Sequence, residues 1–92
     1  MGKERPEVVI VNVRLFASLR EIAGKGQITL QLSSKDGMMT VGNLKKKITE
    51  IYPTILSLKI PIAVAVNGKV ANDRSALKDL DEVALLPPVT GG

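Results

Sequence analysis

One segment of the 92-residue sequence has the pattern of a long amphipathic helix, and it limits the folds open to the whole chain. Apolar residues recur there at helical spacing, and the positions between them carry amides and charges. The apolar positions are Val41, Leu44, Ile48 and Ile51, and the polar ones are Asn43, Lys45, Lys46, Lys47 and Glu50. Thr40 is a suitable N-cap and Pro53 stops the segment, which predicts a helix over Val41–Tyr52. Its apolar stripe needs a sheet face to cover.

Most of the other apolar residues follow the period of β-strands. In residues 8–16 one face is wholly apolar, which predicts a strand whose inner face lies on the core. The inner residues are Val9, Val11, Val13 and Leu15, and the outer ones are Val8, Ile10, Asn12, Arg14 and Phe16. Apolar and polar residues alternate in residues 28–33, which predicts a second strand with one solvent-exposed face. Between these strands, Ala17–Ala23 has helical character and ends at Gly24, a residue suited to a left-handed helix stop.

Two further strands and a hairpin are predicted in the last third of the chain. Asn67-Gly68 is a strong signal for a tight hairpin turn, here joining strands over residues 62–66 and 69–71. A final strand over residues 83–86 ends at Pro87-Pro88, because neither proline has a backbone N–H to donate to a neighbouring strand. This order predicts an α+β fold in which a mixed sheet wraps around one main helix. The exposed sheet face, carrying Val8, Ile10 and Phe16, is the expected surface for binding other proteins.

We divide the chain into a flexible lead-in (residues 1–7), a single domain (8–87) and a flexible tail (88–92). The sequence has no cysteine and no histidine, which excludes disulfides, thiolate nucleophiles, imidazole bases and zinc sites built from Cys and His. A domain this small also has no room for a cleft between domains. We therefore expect the chain to take part in a reaction as a reactant or carrier.

The net charge of +4 raises nucleic-acid binding as a function to be weighed. Only Lys45-Lys46-Lys47 forms a cluster, and consecutive helical residues fan across a broad solvated face. With one Phe and one Tyr there is no stacking platform for bases, so we expect no nucleic-acid partner. The apolar runs are too short for a membrane span or a signal peptide, and we expect no membrane partner and a cytoplasmic location.

The sequence after Leu86 reads Pro87-Pro88-Val89-Thr90-Gly91-Gly92. Two glycines after a stiff proline pair present a carboxylate on a slim, flexible thread, which can enter a narrow channel. On the glycine pair alone, a frayed terminus is the simpler interpretation.

Two blocks of the sequence resemble the small, sulfur-carrying subunit of molybdopterin synthase, the MoaD type. One is Val13–Gly24, and the other comprises Val64–Gly68 and Leu77–Gly92. The likeness covers nearly the whole chain beyond the lead-in. Leu80 is a departure, because the family usually has glycine there between two acidic residues, and we expect a differently shaped turn.

The resemblance implies a ubiquitin-like β-grasp fold and a sulfur carrier for molybdenum or tungsten cofactor biosynthesis. In the family, a ubiquitin-activating-like adenylyltransferase uses ATP to adenylate the terminal glycine, here Gly92. A sulfur donor protein supplies the sulfur for a thiocarboxylate, which donates it to a pterin precursor in the large catalytic subunit. The chain would be a non-catalytic subunit that binds no cofactor or metal itself. The arm inserted into that partner would comprise Pro87, Pro88, Val89, Thr90 and Gly91.

The resemblance also implies a partner surface. The positions that match apolar contact residues of the family are Val70 and Leu86, and Phe16 is a neighbouring candidate. The alternative interpretation places Phe16 and Leu86 in the core. Arg20 matches a family arginine near the tail, although a solvated helix residue explains it equally well.

Other functions use the same fold and tail. A ubiquitin-like modifier would be conjugated to lysines of other proteins through Gly92. A carrier for thiazole synthesis or tRNA thiolation would also carry sulfur there, although the Pro-Pro-Val-Thr sequence favours the pterin pathway. A β-grasp interaction module without tail chemistry is the remaining alternative.

Overall fold

A computed structural model describes residues 7–36, 39–57 and 61–87 of the chain. Within these ranges the chain forms five strands, three α-helices and one 3-10 turn. In chain order they are β1 Val8–Leu15, α1 Ala17–Ala23, β2 Gln27–Ser33, the 3-10 turn Ser34–Asp36, α2 Val41–Ile51, α3 Thr54–Ser57, β3 Ala63–Val66, β4 Lys69–Ala71 and β5 Glu82–Leu86. Among the described helices, none combines the length and apolar character that a membrane span requires.

The five strands form one mixed sheet in the order β2-β1-β5-β3-β4. β1 is antiparallel to β2 and parallel to β5, with Val13 opposite Val83. β3 is antiparallel to both β5 and β4. The first and last strands therefore lie side by side at the centre, and the predicted α+β class with a mixed sheet is confirmed.

Helix α2 packs its apolar stripe on the inner face of this sheet. Val41, Leu44 and Ile48 are fully buried and join the inward residues of β1 in one core. Ile51 was predicted to continue the stripe, but that is wrong. It is the last residue of the helix, and it is 46% exposed.

The ends of α2 follow the predicted signals closely. The Thr40 hydroxyl accepts a hydrogen bond from the Asn43 N–H at 3.4 Å, as an N-cap does. The helix ends at Ile51, one residue before the predicted end, because the proline at 53 disfavours helical dihedrals at Tyr52 (φ −124°, ψ 77°). The one-turn helix α3 was not predicted, since four residues are too few to show a helical period.

Left-handed backbone occurs at the predicted turns and at two residues where it was not expected, Ala17 (φ 52°) and Leu80. Gly24 ends α1 with φ 76°, and the β3–β4 hairpin has φ 50° at Asn67 and φ 83° at Gly68. Positive φ at both central residues is what a tight hairpin of this kind requires. Leu80 also has φ 68°, the conformation that glycine adopts at little cost. The departure from the family's glycine is thus accommodated by a left-handed leucine.

The predicted division into lead-in, domain and tail stays a prediction. The described elements run from Val8 to Leu86, within the domain proposed for residues 8–87. Residues 1–6 and 88–92 lie outside the described ranges.

Candidate partner surface and tail attachment

Strand β5 ends where the predicted tail begins. It pairs with β1 on one side and β3 on the other, and Leu85 is buried opposite both Leu15 and Val64. Pro87 follows the strand and is half-buried. The other predicted tail residues, Pro88, Val89, Thr90, Gly91 and Gly92, lie outside the described residues. The tail therefore starts from a strand that is paired on both sides.

All three predicted partner residues are exposed. Val70 is 91% exposed, Phe16 41% and Leu86 37%. The alternative that placed Phe16 and Leu86 in the core is therefore wrong. They stand next to core residues, because Leu15 and Leu85, which precede them, are buried partners in the parallel β1–β5 ladder.

The strand register places these residues on the outward face of the sheet. Val70 lies opposite Ala65, which lies opposite Ala84 on β5. Leu86 follows Ala84 by two residues, so the side chains of Val70 and Leu86 point to the same face. Phe16 is extended (φ −123°, ψ 154°) and continues the alternation of β1 onto that face.

The outward positions between the predicted residues are alanines, which sequence reasoning did not single out. We define the apolar face as Phe16, Ala63, Ala65, Val70, Ala84 and Leu86. The alternation in strands β3 and β5 was the available signal, but the pairing of these strands was needed to join the alanines into one surface. Small side chains leave the backbone open to close approach by a partner.

Two arginines lie beside the apolar face. Arg14 is opposite Ala84 on the outward side of β1, and with Arg20 and Phe16 it lines a shallow hollow of about 330 Å³. Both arginines are exposed. Guanidinium groups bind carboxylates and phosphates well, so this end of the sheet can hold an anion. Arg20 thus lies beside Phe16, and its expected position near the tail stays a prediction.

The described part of the chain has no buried polar or charged side chain. It also has no group of three or more Cys, His, Asp or Glu residues arranged to hold a metal ion.

Comparison with known proteins gives this surface a context. The sequence profile described as the ThiS family matches residues 13–92. The molybdopterin synthase sulfur carrier subunit of Chlamydomonas reinhardtii is 37% identical over 84 residues, covering 89% of this chain and 98% of the relative. Small archaeal modifier protein 1 of Haloferax volcanii is 34% identical over 87 residues, covering 86% and 97%.

Solved structures share the architecture as well. A crystal structure of the Haloferax volcanii modifier superposes with a TM-score of 0.76 at 32% identity, covering 90% of this chain and 99% of that one. A complex of subunits 1 and 2 of the molybdopterin-converting factor from Helicobacter pylori contains a chain that matches with a TM-score of 0.62. The two chains are 26% identical, and the match covers 91% of this chain and 100% of the Helicobacter pylori chain. The fold is thus that of the ubiquitin-like β-grasp proteins.

Proposed function

This chain belongs to the ThiS family, and we propose that it is the sulfur carrier subunit of a molybdopterin synthase. The observation that carries the proposal is the 37% identity, over nearly the full length of both chains, to a protein named as that subunit. The structure adds a suitable arrangement, in which an exposed apolar face lies beside the strand that leads into the Gly-Gly tail. A chain of this kind acts as a carrier for chemistry that its partners catalyse.

The reacting group in this proposal is the carboxylate of Gly92. A carboxylate is a poor electrophile, because oxide would have to leave. Attack of a carboxylate oxygen on the α-phosphorus of ATP, catalysed by an activating enzyme, forms an acyl adenylate and releases pyrophosphate. A sulfide equivalent from a donor protein then forms a C–S bond at the acyl carbon, and AMP leaves. We propose that these steps occur in the cytoplasm, where ATP is available.

The residues before Gly92 serve as a thread in the same proposal. Pro87 marks the point where the chain leaves β5, and Pro88, Val89, Thr90 and Gly91 would enter the large catalytic subunit. Side chains larger than these would meet the walls of a narrow channel, whereas glycines at the end add no bulk. The thiocarboxylate sulfur would then form a C–S bond to an electrophilic carbon of a pterin precursor. Water would cleave the acyl C–S bond, which leaves the sulfur on the precursor and the carboxylate on Gly92.

The apolar face is the proposed contact with the large subunit. It combines a nearly fully exposed Val70 with the less exposed Phe16 and Leu86, and Arg14 adds charge at its edge. Interfaces of this kind are apolar at the centre and polar at the rim. Support comes from the Helicobacter pylori complex, in which the matching chain is assembled with a second subunit.

The test is intact mass spectrometry of the chain after incubation with ATP, an activating enzyme and a sulfur donor. Replacement of one oxygen by sulfur on the C-terminal residue is the expected result. A variant lacking Gly92 is the matched control, and it should stay folded but gain no sulfur. Sulfur transfer to a precursor by the truncated chain in a reconstituted synthase would exclude the carrier function.

A protein modifier is the second candidate, favoured by the 34% identity to the Haloferax volcanii modifier. Both functions begin with the same adenylated tail, but a modifier ends in an isopeptide bond to a lysine of another protein. Proteolysis of cell extracts distinguishes them, since conjugation leaves a remnant of the Gly92 tail on target lysines.

A further inference from the structure

The outer edge of β2 presents backbone groups that no described strand covers. β2 is the first strand in the sheet order and pairs only with β1 among the described strands. Ile10 of β1 lies opposite Gln31 of β2, yet the Ile10 N–H donates to the Asp79 carboxylate at 2.8 Å and its carbonyl accepts from the Leu80 N–H at 2.6 Å. Both groups of Ile10 thus point away from β2. In an antiparallel ladder, the backbone groups of two opposed residues either both point toward each other or both point away. The N–H and C=O of Gln31 therefore point away from β1, to the open edge of the sheet.

The same reasoning extends the open edge to a second residue. Asn12 lies opposite Thr29, and the Asn12 N–H donates to the carbonyl of Asp81 at 3.0 Å, on the side away from β2. Thr29 and Gln31 therefore direct their backbone N–H and C=O groups to the same open edge. Alternate residues whose donors and acceptors point to an open edge are the pattern on which an added strand pairs.

One lysine already occupies part of this edge. The Lys47 ammonium, on helix α2, donates to the Gln31 carbonyl at 2.9 Å, which confirms that this carbonyl points outward. The ammonium competes with an added strand for this carbonyl, but the flexible stem of the lysine lets it move to a better partner. A carboxylate brought to this edge would be such a partner.

A groove runs beside the edge, between β2 and α2. It has a volume of about 290 Å³, with Leu32 and Met39 as its apolar lining and Lys46, Lys47 and Glu50 among its polar lining. Leu32 is buried and Met39 half-buried, so the apolar part is the floor. Two cations against one carboxylate make the rim positive. The groove thus complements a segment that is both apolar and acidic.

We propose that an extended, acidic segment of a partner protein adds to β2 as a further strand. Its backbone would bond with Thr29 and Gln31, and alternate apolar side chains would enter the groove over Leu32 and Met39. Its carboxylates would pair with Lys46 and Lys47, which would release the Gln31 carbonyl for the added strand. This site is separate from the apolar face and goes beyond the proposed sulfur-carrier function, which does not require it.

A titration of the full-length, 15N-labelled chain with a synthetic peptide tests this inference. The probe is the capped peptide DEVIVIED, which has alternating positions for the groove and carboxylates at both ends. We expect saturable amide shifts centred on Thr29 and Gln31, and slower hydrogen exchange of their N–H groups in the complex. The capped peptide KKVIVIKK, with the same centre and the opposite charge, should bind at least tenfold more weakly.

Variants separate the groove from general charge effects. The double variant Lys46→Gln and Lys47→Gln should weaken binding of the acidic peptide about tenfold, because it removes both rim cations. The matched control replaces Lys69 and Lys78, two exposed lysines away from the groove, by glutamine and should bind as the wild type does. Thermal melts confirm that both double variants fold.

Four results would overturn the proposal. Shifts centred on Phe16 and Val70 would place the peptide on the apolar face instead. Equal loss of binding in the two double variants would reduce the effect to net charge. Tighter binding of an eight-nucleotide oligothymidylate at Thr29 and Gln31 would show that the groove binds nucleic acid instead. Absence of saturable binding by the acidic peptide would exclude the site.

Discussion

The backbone N–H of Leu80 donates to the carbonyl oxygen of Ile10 at 2.6 Å, and Leu80 makes this bond with a left-handed φ of 68°. Its side chain is 70% exposed and contributes nothing to the core. The turn before β5 is thus fastened to β1 by a residue whose backbone conformation is unfavourable for leucine. A left-handed conformation costs a residue with a Cβ roughly 1–2 kcal/mol.

Replacing Leu80 by glycine should therefore stabilise the protein. Glycine removes the strain but loses more conformational entropy on folding, so we expect a net gain of about 0.5–1 kcal/mol in the free energy of unfolding. Chemical denaturation measures it. Leu80→Ala is the control, because it removes the same exposed side chain and keeps the strain. Equal stability of the two variants would show that Leu80 is not strained.

Asn67 should contribute to stability through both its backbone and its side chain. It begins the hairpin turn with φ 50°. Its side-chain NH2 donates to the Asp81 carboxylate at 2.9 Å, and its side-chain oxygen accepts from the Glu82 N–H at 2.9 Å. We expect Asn67→Ala to lower the free energy of unfolding by about 2 kcal/mol. Asn67→Gly should lower it by about 1 kcal/mol less, because glycine loses the hydrogen bonds but tolerates the turn. A larger loss for the glycine variant would contradict this division.

The buried stripe of α2 predicts a contrast between two substitutions on one helix. Leu44 is fully buried against the sheet, and Ile51 is largely outside the core. Leu44→Ala should therefore cost about 2–5 kcal/mol of unfolding free energy, and Ile51→Ala less than about 1 kcal/mol. Thermal and urea melts of both variants measure the difference. Similar losses at the two positions would mean that the helix packs on the sheet through another face.

The apolar face can be tested without disturbing the fold. Val70→Asp places a charge at the most exposed apolar residue and should weaken binding of the large synthase subunit about tenfold or more, measured by calorimetry. The unfolding free energy should change by less than about 0.5 kcal/mol. Ile51→Asp makes the same kind of change at an exposed residue of α2 and is the control for binding. Unchanged affinity of the Val70 variant would remove this face from the interface.

The elements were predictable from sequence wherever a period was long enough to read. The alternation in residues 8–16 and 28–33, and the helical spacing from Val41 to Ile48, each report one buried face directly. What could not be read was the pairing of distant strands. Strand order decides that Val70 and Leu86 share a surface, and local sequence carries no record of it. The left-handed conformation of Leu80 was not predicted either, because the leucine itself gives no signal for it and only the family's glycine at this position does.

For the candidate partner surface, the resemblance supplied Phe16, Val70 and Leu86, and the structure supplied the alanines that join them. The contact between Lys47 and the Gln31 carbonyl was not foreseeable either. In the sequence, Lys47 is one of three adjacent lysines with the appearance of a solvated face. Only the packing of α2 beside β2 sets it apart.

The position of β5 has a mechanical consequence. A partner that draws in the chain beyond Leu86 pulls along the axis of a strand that is bonded to β1 on one side and β3 on the other. Such a force loads both rows of hydrogen bonds in shear, so they must fail together instead of opening one after another as in a zipper. In the proposed carrier function, β5 would therefore keep its place in the sheet while a partner takes up the residues that follow it.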